Sequence, residues 1–241
     1  MTQSNLESDL VPYVPGHVWL KRYPVHFAAM DISARLTLLR LRDGSLLAHS
    51  PCPIDASLRA QVEAIGPLEH IVAPGDYHYF HVPAWQSAFP EAKTWICPGV
   101  ERKLPRLRFD GLLGDRSPPD WADEIDQVLV RGTRFIVEVA FLHRDSRTLV
   151  LTDLVENIGD ATPDASDRLL RFWWKFVFRM WNRPRPAPEY QLGWRDKAAA
   201  RESLERILAW DFERVVLAHG DCIEADAKAR LREAWARPLS G

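Results

Sequence analysis

Three stretches of this 241-residue chain run from apolar residues directly into side chains that bind metals or move protons. "EHIVAPGDYHYFH" (69–81) leads into Asp76, His78 and His81, "RTLVLTD" (147–153) ends on Asp153, and "RVVLAH" (214–219) ends on His219. A fourth, "FIVEVAFL" (135–142), carries Glu138 inside an otherwise apolar run. Imidazole and carboxylate groups are the usual ligands of zinc, iron and manganese. A catalytic zinc needs about three such ligands and one open position for water. Each residue also has a plainer use. Asp153 could cap a turn, and His219 could satisfy a backbone carbonyl. Glu138, expensive to bury alone, could pair with Arg35 or Arg147.

To act together, these groups need a scaffold that gathers strand ends. "LTLLRL" and "SLLAHS" flank an Asp-Gly pair and form an expected hairpin. "DASLRAQVEAIGP" follows with Leu58, Val62 and Ile65 at helical spacing, an Asp55 cap and a Gly66-Pro67 stop. Strand, helix and strand then alternate through "EHIVAP", "VPAWQSAFPEA" and "KTWICPG". "IDQVLVRG", "FIVEVAFLHRD" and "RTLVLTDLV" supply three more strands. A helix over 162–181, a proline-rich linker "NRPRPAPEY", a helix over "DKAAARESLERILAW", the strand "RVVLAHG" and a closing helix complete the chain. This is a layered α/β pattern, and ligands in such folds gather beyond the carboxyl ends of strands. Residues 1–15 are expected to be a flexible arm, and 16–241 a single domain.

Composition narrows the functional class. A formal net charge of −2 with both signs interspersed argues against broad nucleic-acid binding. Three dispersed cysteines, with no CxxC pair, argue against a disulfide framework or a cysteine-zinc site and point to a cytoplasmic setting. No signal-peptide pattern and no long apolar run is visible. No GxSxG elbow, Walker motif or dinucleotide fingerprint appears.

The segment "GDYHYFHVPAWQSAFPEAKTWICPG" resembles the metal-binding region of the metallo-β-lactamase fold, where a strand ends in Thr-His-x-His-x-Asp-His and a helix and strand follow. "VAFLHRDSRTLVLTDLV" resembles that fold's later hairpin with its bridging aspartate, and "RVVLAHGD" its last strand and final histidine. The similarity spans residues 30–225 and is closest to an uncharacterised branch known only as a domain of unknown function. It implies an αββα sandwich and a metal-dependent hydrolase. Matched to the motif, Asp76 replaces the first histidine, His78 is retained, Phe80 replaces the aspartate, and His81 is retained. Asp153 and His219 match their counterparts, while Arg134 falls where another histidine is usual. The resemblance thus implies His78, His81, Asp153 and His219 as metal ligands, with Asp76 as proton acceptor or substitute ligand. Glu138 is a further ligand candidate, and His49 a supporting residue near the site. Zinc, iron or manganese would be the metal, and a small ester, amide, thioester or phosphoester the substrate. The competing expectation is a metal-free binding or assembly module on the same fold.

"RFWWKFVFRMWNR" (171–183) alternates aromatic and basic residues at helical spacing. The favoured reading is a helix that covers the sheet or joins subunits of a homo-oligomer. The other is contact with a membrane surface.

Overall fold

The computed structural model describes residues 9–163 and 165–240. Strands β1 (Val11–Val14), β2 (Val18–Phe27), β3 (Met30–Arg40) and β4 (Leu46–His49) form an antiparallel meander. The Asp43-Gly44 turn joins β3 to β4. Gly44 has φ +90°, and Asp43 Oδ1 accepts from Ser45 N. Helix α1 (Ala56–Ile65), capped by Asp55, leads to β5 (Leu68–Ala73), and α2 (Val82–Ala88) leads to β6 (Lys93–Ile96). Helix α3 (Val100–Lys103) precedes β7 (Gly111–Leu112). Strands β4 to β7 are parallel, which completes a seven-stranded sheet in chain order.

The second sheet holds β8 (Ile125–Leu129), β9 (Val139–His143), β10 (Thr148–Leu151) and β11 (Arg214–Leu217), in the order β11-β10-β9-β8. Between β10 and β11 come α4 (Arg168–Phe172), a π-helical segment (Trp173–Val177), α5 (Pro188–Gly193) and α6 (Lys197–Ala209). Helices α7 (Ala227–Ala234) and α8 (Ala236–Leu239) close the described chain.

Alternation along the strands of the second sheet explains the layers. Val139, Phe141, Val150 and Val216 point into the core shared with the first sheet. Their neighbours Ala140, Leu142, Leu149, Leu151, Val215 and Leu217 point the other way, onto Leu204, Ile207 and Leu208 of α6 and Leu231 of α7. A period of two places successive side chains on opposite faces, so a strand buried on both sides must be apolar throughout. Helices α1 and α2 cover the outer face of the first sheet through Leu58, Val62, Val82 and Trp85. The result is the expected αββα sandwich. The sheets are stitched where β5 ends. Asp76 N donates to Val137 O at 3.0 Å, and Val139 N to Pro74 O at 2.7 Å.

Several local expectations change. Val11–Val14, within the stretch read as an arm, are a strand paired to β2, while residues 1–8 lie outside the described residues. The helix expected over 162–181 is α4 and the π segment only. Arg179 and Asn182 have left-handed φ values of 55° and 59° and turn the chain away. Part of the proline-rich linker is helix α5, with Pro188 in its first turn, where a missing N–H is harmless.

Candidate metal centre

Three of the four expected ligands converge. His78 follows β5 in the first sheet, whereas Asp153 follows β10 and His219 follows β11 in the second. One ligand atom from each lies within 4.8 Å of the others, and all three residues are buried. His78 Nε2 stands 3.3 Å from Asp153 Oδ2, and His219 Nε2 stands 3.4 Å from Asp153 Oδ1. The parallel β10–β11 pair, in register from Thr148–Arg214 to Leu151–Leu217, puts the last two side by side.

Each imidazole is steered through its other nitrogen. His219 Nδ1 bonds Ser33 O at 2.9 Å, and His78 Nδ1 bonds Ser50 Oγ at 2.7 Å. His219 Nδ1 must donate to the Ser33 carbonyl, so its Nε2 is turned to Asp153, and when His78 Nδ1 likewise donates to Ser50 its Nε2 is the atom left for a metal, which is how a metal-ligating histidine is normally fixed. Ser50 is itself held in a left-handed conformation, φ 56°, immediately after β4. Arg35 lies on β3 two residues from Ser33, so on the same strand face. Its guanidinium is buried and donates to Leu217 O and, at 2.7 Å, to Gly220 O, clamping the turn that carries His219. Gly220 is required there, since at φ +81° any Cβ would fall 2.2 Å from Asn157 O.

Glu138 is not one of the gathered ligands. It sits just ahead of β9, fully buried, and its carboxylate accepts three main-chain N–H groups. Thr152 N donates to Oε1 at 2.6 Å, and Asp153 N and Leu154 N donate to Oε2, both at 2.8 Å. Neither suggested arginine partner reaches it, because Arg35 holds the His219 turn and Arg147 pairs with Asp211 and Glu213. Glu138 therefore fixes the turn that aims Asp153. Burial first, and then the Asp153 charge, push its carboxyl up to about 8 against those three hydrogen bonds.

Asp76 is likewise committed elsewhere. Its Oδ1 accepts from Val137 N at 3.0 Å, and its Oδ2 pairs with Lys103 of α3 at 3.0 Å. It does not line the cavity described below, so the proton-acceptor role expected of it is not one its surroundings support. His81 stands at the start of α2 with its ring edge-on to Tyr23, 5.7 Å between centroids, and shares the cavity with the three converged residues without joining them. His49 is fully buried against Phe141. Burial, and then the nearby His78, push its imidazole down to about 3, so it stays neutral. Its Nε2 has no hydrogen-bond partner among the described residues.

The electrostatics centre on Asp153. Burial alone would raise its carboxyl, but His78 and His219 outweigh it and hold the group well below the usual carboxylate range. Burial alone would lower His219, but the hydrogen bond and charge of Asp153, helped by Glu156, hold it at about 9. Asp153 Oδ2 is nonetheless a buried oxygen with no hydrogen-bond partner. A buried carboxylate whose two oxygens each face an imidazole nitrogen, at 3.3 and 3.4 Å, fits a divalent cation, and the donor set of two nitrogens and one oxygen suits zinc, iron or manganese.

These residues form the floor of a cavity of about 410 Å³. Its walls come from Tyr23, Pro24, Ile32 and Ala34 of β2 and β3, and from Trp174, Pro188 and Glu189 opposite, with Phe27 and Phe80 exposed at its rim. Glu156 also faces it, buried, with Oε2 accepting from Trp174 Nε1 at 2.9 Å. Burial pushes the Glu156 carboxyl up to about 8. Among the described residues, no lysine or arginine lines the cavity. Sequence reasoning missed Glu156, three residues beyond a strand-end aspartate, although that spacing was a usable signal. It had no access to Ser33, which acts through its main-chain oxygen.

The whole architecture has solved counterparts. A metallo-beta-lactamase from Pontibacter korlensis matches at 8% identity and TM-score 0.63, covering 95% of this chain and 99% of that one. One from Hirschia baltica matches at 11% identity and TM-score 0.59, covering 96% of each chain. The metallo-beta-lactamase FIM-1 from Pseudomonas aeruginosa, in its mono-zinc form, matches at 10% identity and TM-score 0.60, covering 96% of this chain and 93% of that one. A search of curated proteins finds no match. Residues 15–172, which include His78 and Asp153 but not His219, match the domain of unknown function DUF4336. The chain thus belongs to the DUF4336 family and carries it on a metallo-β-lactamase fold.

Proposed function

We propose that this protein is a mononuclear metal-dependent hydrolase acting on a small organic substrate without strong negative charge. The observation that carries the proposal is the convergence of His78, Asp153 and His219, with each Asp153 oxygen facing the Nε2 of one imidazole. The set takes a residue from each half of the two-metal pattern that the sequence resembles, plus the bridging aspartate, so it is suited to one ion. When bound, a divalent ion would supply Lewis acidity toward a carbonyl and acidify water. The chain supplies the rest. Ser33, Ser50 and Glu138 hold the three ligands in their orientations. Apolar walls take up the body of the substrate and exclude water. Glu156 keeps its proton at neutral pH and can donate it within the cavity. A lining without lysine or arginine favours an ester, amide or thioester over a phosphoester, whose charge needs cationic partners.

Metal analysis of chelator-free protein, before and after incubation with zinc, iron or manganese, tests this. About one ion per chain is expected, and its loss in His78→Ala/His219→Ala. A stoichiometry near zero under all conditions would leave a metal-free binding module as the better reading.

A further inference from the structure

Residues 168–183 contain five cations, Arg168, Arg171, Lys175, Arg179 and Arg183, and no acidic residue. Only part of the segment's apolar surface is spent on the fold. Leu170, Trp174, Met180 and Trp181 are buried together with Ile158, against Met30 and Ile32 at the start of β3. The π-helical turn, in which Phe178 N reaches Trp173 O at 2.9 Å, adds a residue to the turn and shifts the face. Trp174 consequently points inward, while Phe172, Trp173 and Phe176 stay outward at 52%, 39% and 64% exposure. Val177 and Leu169 extend the same exposed apolar surface.

The cations stand beside these rings. Lys175 Nζ lies 5.8 Å from the Phe176 ring centre, and Arg171 lies over Trp181 while pairing with Asp160. Arg168, Arg179 and Arg183 are exposed and form no ion pair among the described residues. Exposed aromatic rings flanked by unneutralised cations are the arrangement of an interfacial helix, in which rings enter the acyl boundary and cations meet lipid phosphates. Aromatic and arginine residues also occur at protein interfaces, so the choice rests on charge: five cations and no carboxylate within the segment suit an anionic surface. The face also adjoins the cavity, since Trp174 on its inner side is part of the cavity wall.

We propose that the 168–183 segment is a docking face for anionic lipid bilayers. The proposal does not depend on metal binding. Full-length protein is floated with phosphatidylcholine vesicles, with and without about 30% phosphatidylglycerol, at low and high salt. Co-flotation with the anionic vesicles, weakened by salt, is expected. Phe172→Ser/Trp173→Ser/Phe176→Ser and Arg168→Gln/Arg179→Gln/Arg183→Gln should each weaken partitioning by at least about tenfold. The altered side chains are exposed, so both variants should keep the parent circular dichroism and melting temperature. Failure to float with anionic vesicles overturns the proposal, as does binding that neither variant weakens. Self-association by light scattering that the serine variant abolishes, with no vesicle binding, would overturn it in favour of an interface between copies.

Discussion

The proton on His219 offers a quantitative test of the site. Asp153 holds this imidazole at about 9 in the folded protein, against 6.5 for an ordinary histidine. That difference corresponds to about 3 kcal/mol favouring the protonated, metal-free fold. Because the folded value is the higher one, this stability is fully present below pH 6.5 and is lost as pH rises through 9. Glu138 and Glu156, both raised to about 8, lose stability in the same direction, but their loss is largely complete by pH 8. Between pH 8 and 9 His219 contributes about 1 kcal/mol of the fall and the two glutamates together about 0.7 kcal/mol, so the His219 share is read in a Glu138→Gln/Glu156→Gln background. A metal ion must displace the same proton from Nε2. Its apparent affinity should rise by up to about tenfold per pH unit between pH 7 and 9, with about one proton released per ion. Urea unfolding of metal-free protein across this range, with zinc titrations in buffers of differing ionisation enthalpy, provides both readouts. Asp153→Asn should remove the His219 share of the pH dependence along with metal binding. A zinc affinity flat from pH 7 to 9, or proton release near zero, would show that Asp153 does not hold a proton on His219.

Three further outcomes follow from the same geometry. Glu138→Ala strips the acceptor from three buried N–H groups and should lower unfolding stability by about 3 kcal/mol or more, measured by urea melts. Gly220→Ala drives a Cβ into Asn157 O at a positive φ, and should cost about 1–3 kcal/mol together with the metal-dependent rise in melting temperature. Trp174→Phe keeps a ring in the cavity wall but removes the donor to Glu156 Oε2. The Glu156 carboxyl should then titrate above its present value of about 8, followed by NMR of labelled glutamate.

The sequence made the strand-end residues readable because each follows a short apolar run at a position where such folds gather ligands. His78, Asp153 and His219 all stood out in this way. What it could not show was the partner of each group. Asp76 looks like a ligand until Lys103, 27 residues on, takes its carboxylate. Glu138 looks like an intruding charge until three amides of a neighbouring turn point at it. Similar reasons apply to the fold. The buried strands β5, β9, β10 and β11 are apolar on both faces and announce themselves. Strand β2, "VWLKRYPVHF", has an exposed end, a proline and several charges, and was not foreseen. The segment 168–183 has helical periodicity throughout, but two left-handed residues end the helix early.

The Asp76–Lys103 pair also bears on which substitutions position 76 can accept. The two-metal motif that the sequence resembles has a histidine at the position of Asp76, an aspartate at that of Phe80 and another histidine at that of Arg134. A histidine at 76 alone leaves Val137 N–H without its acceptor and Lys103 without its carboxylate. That substitution would therefore weaken the seam between the sheets before any second ion could compensate. Lys103 thus locks position 76: a histidine there is tolerated only with a compensating change at 103, so a second metal could not be added by substitution at 76 alone.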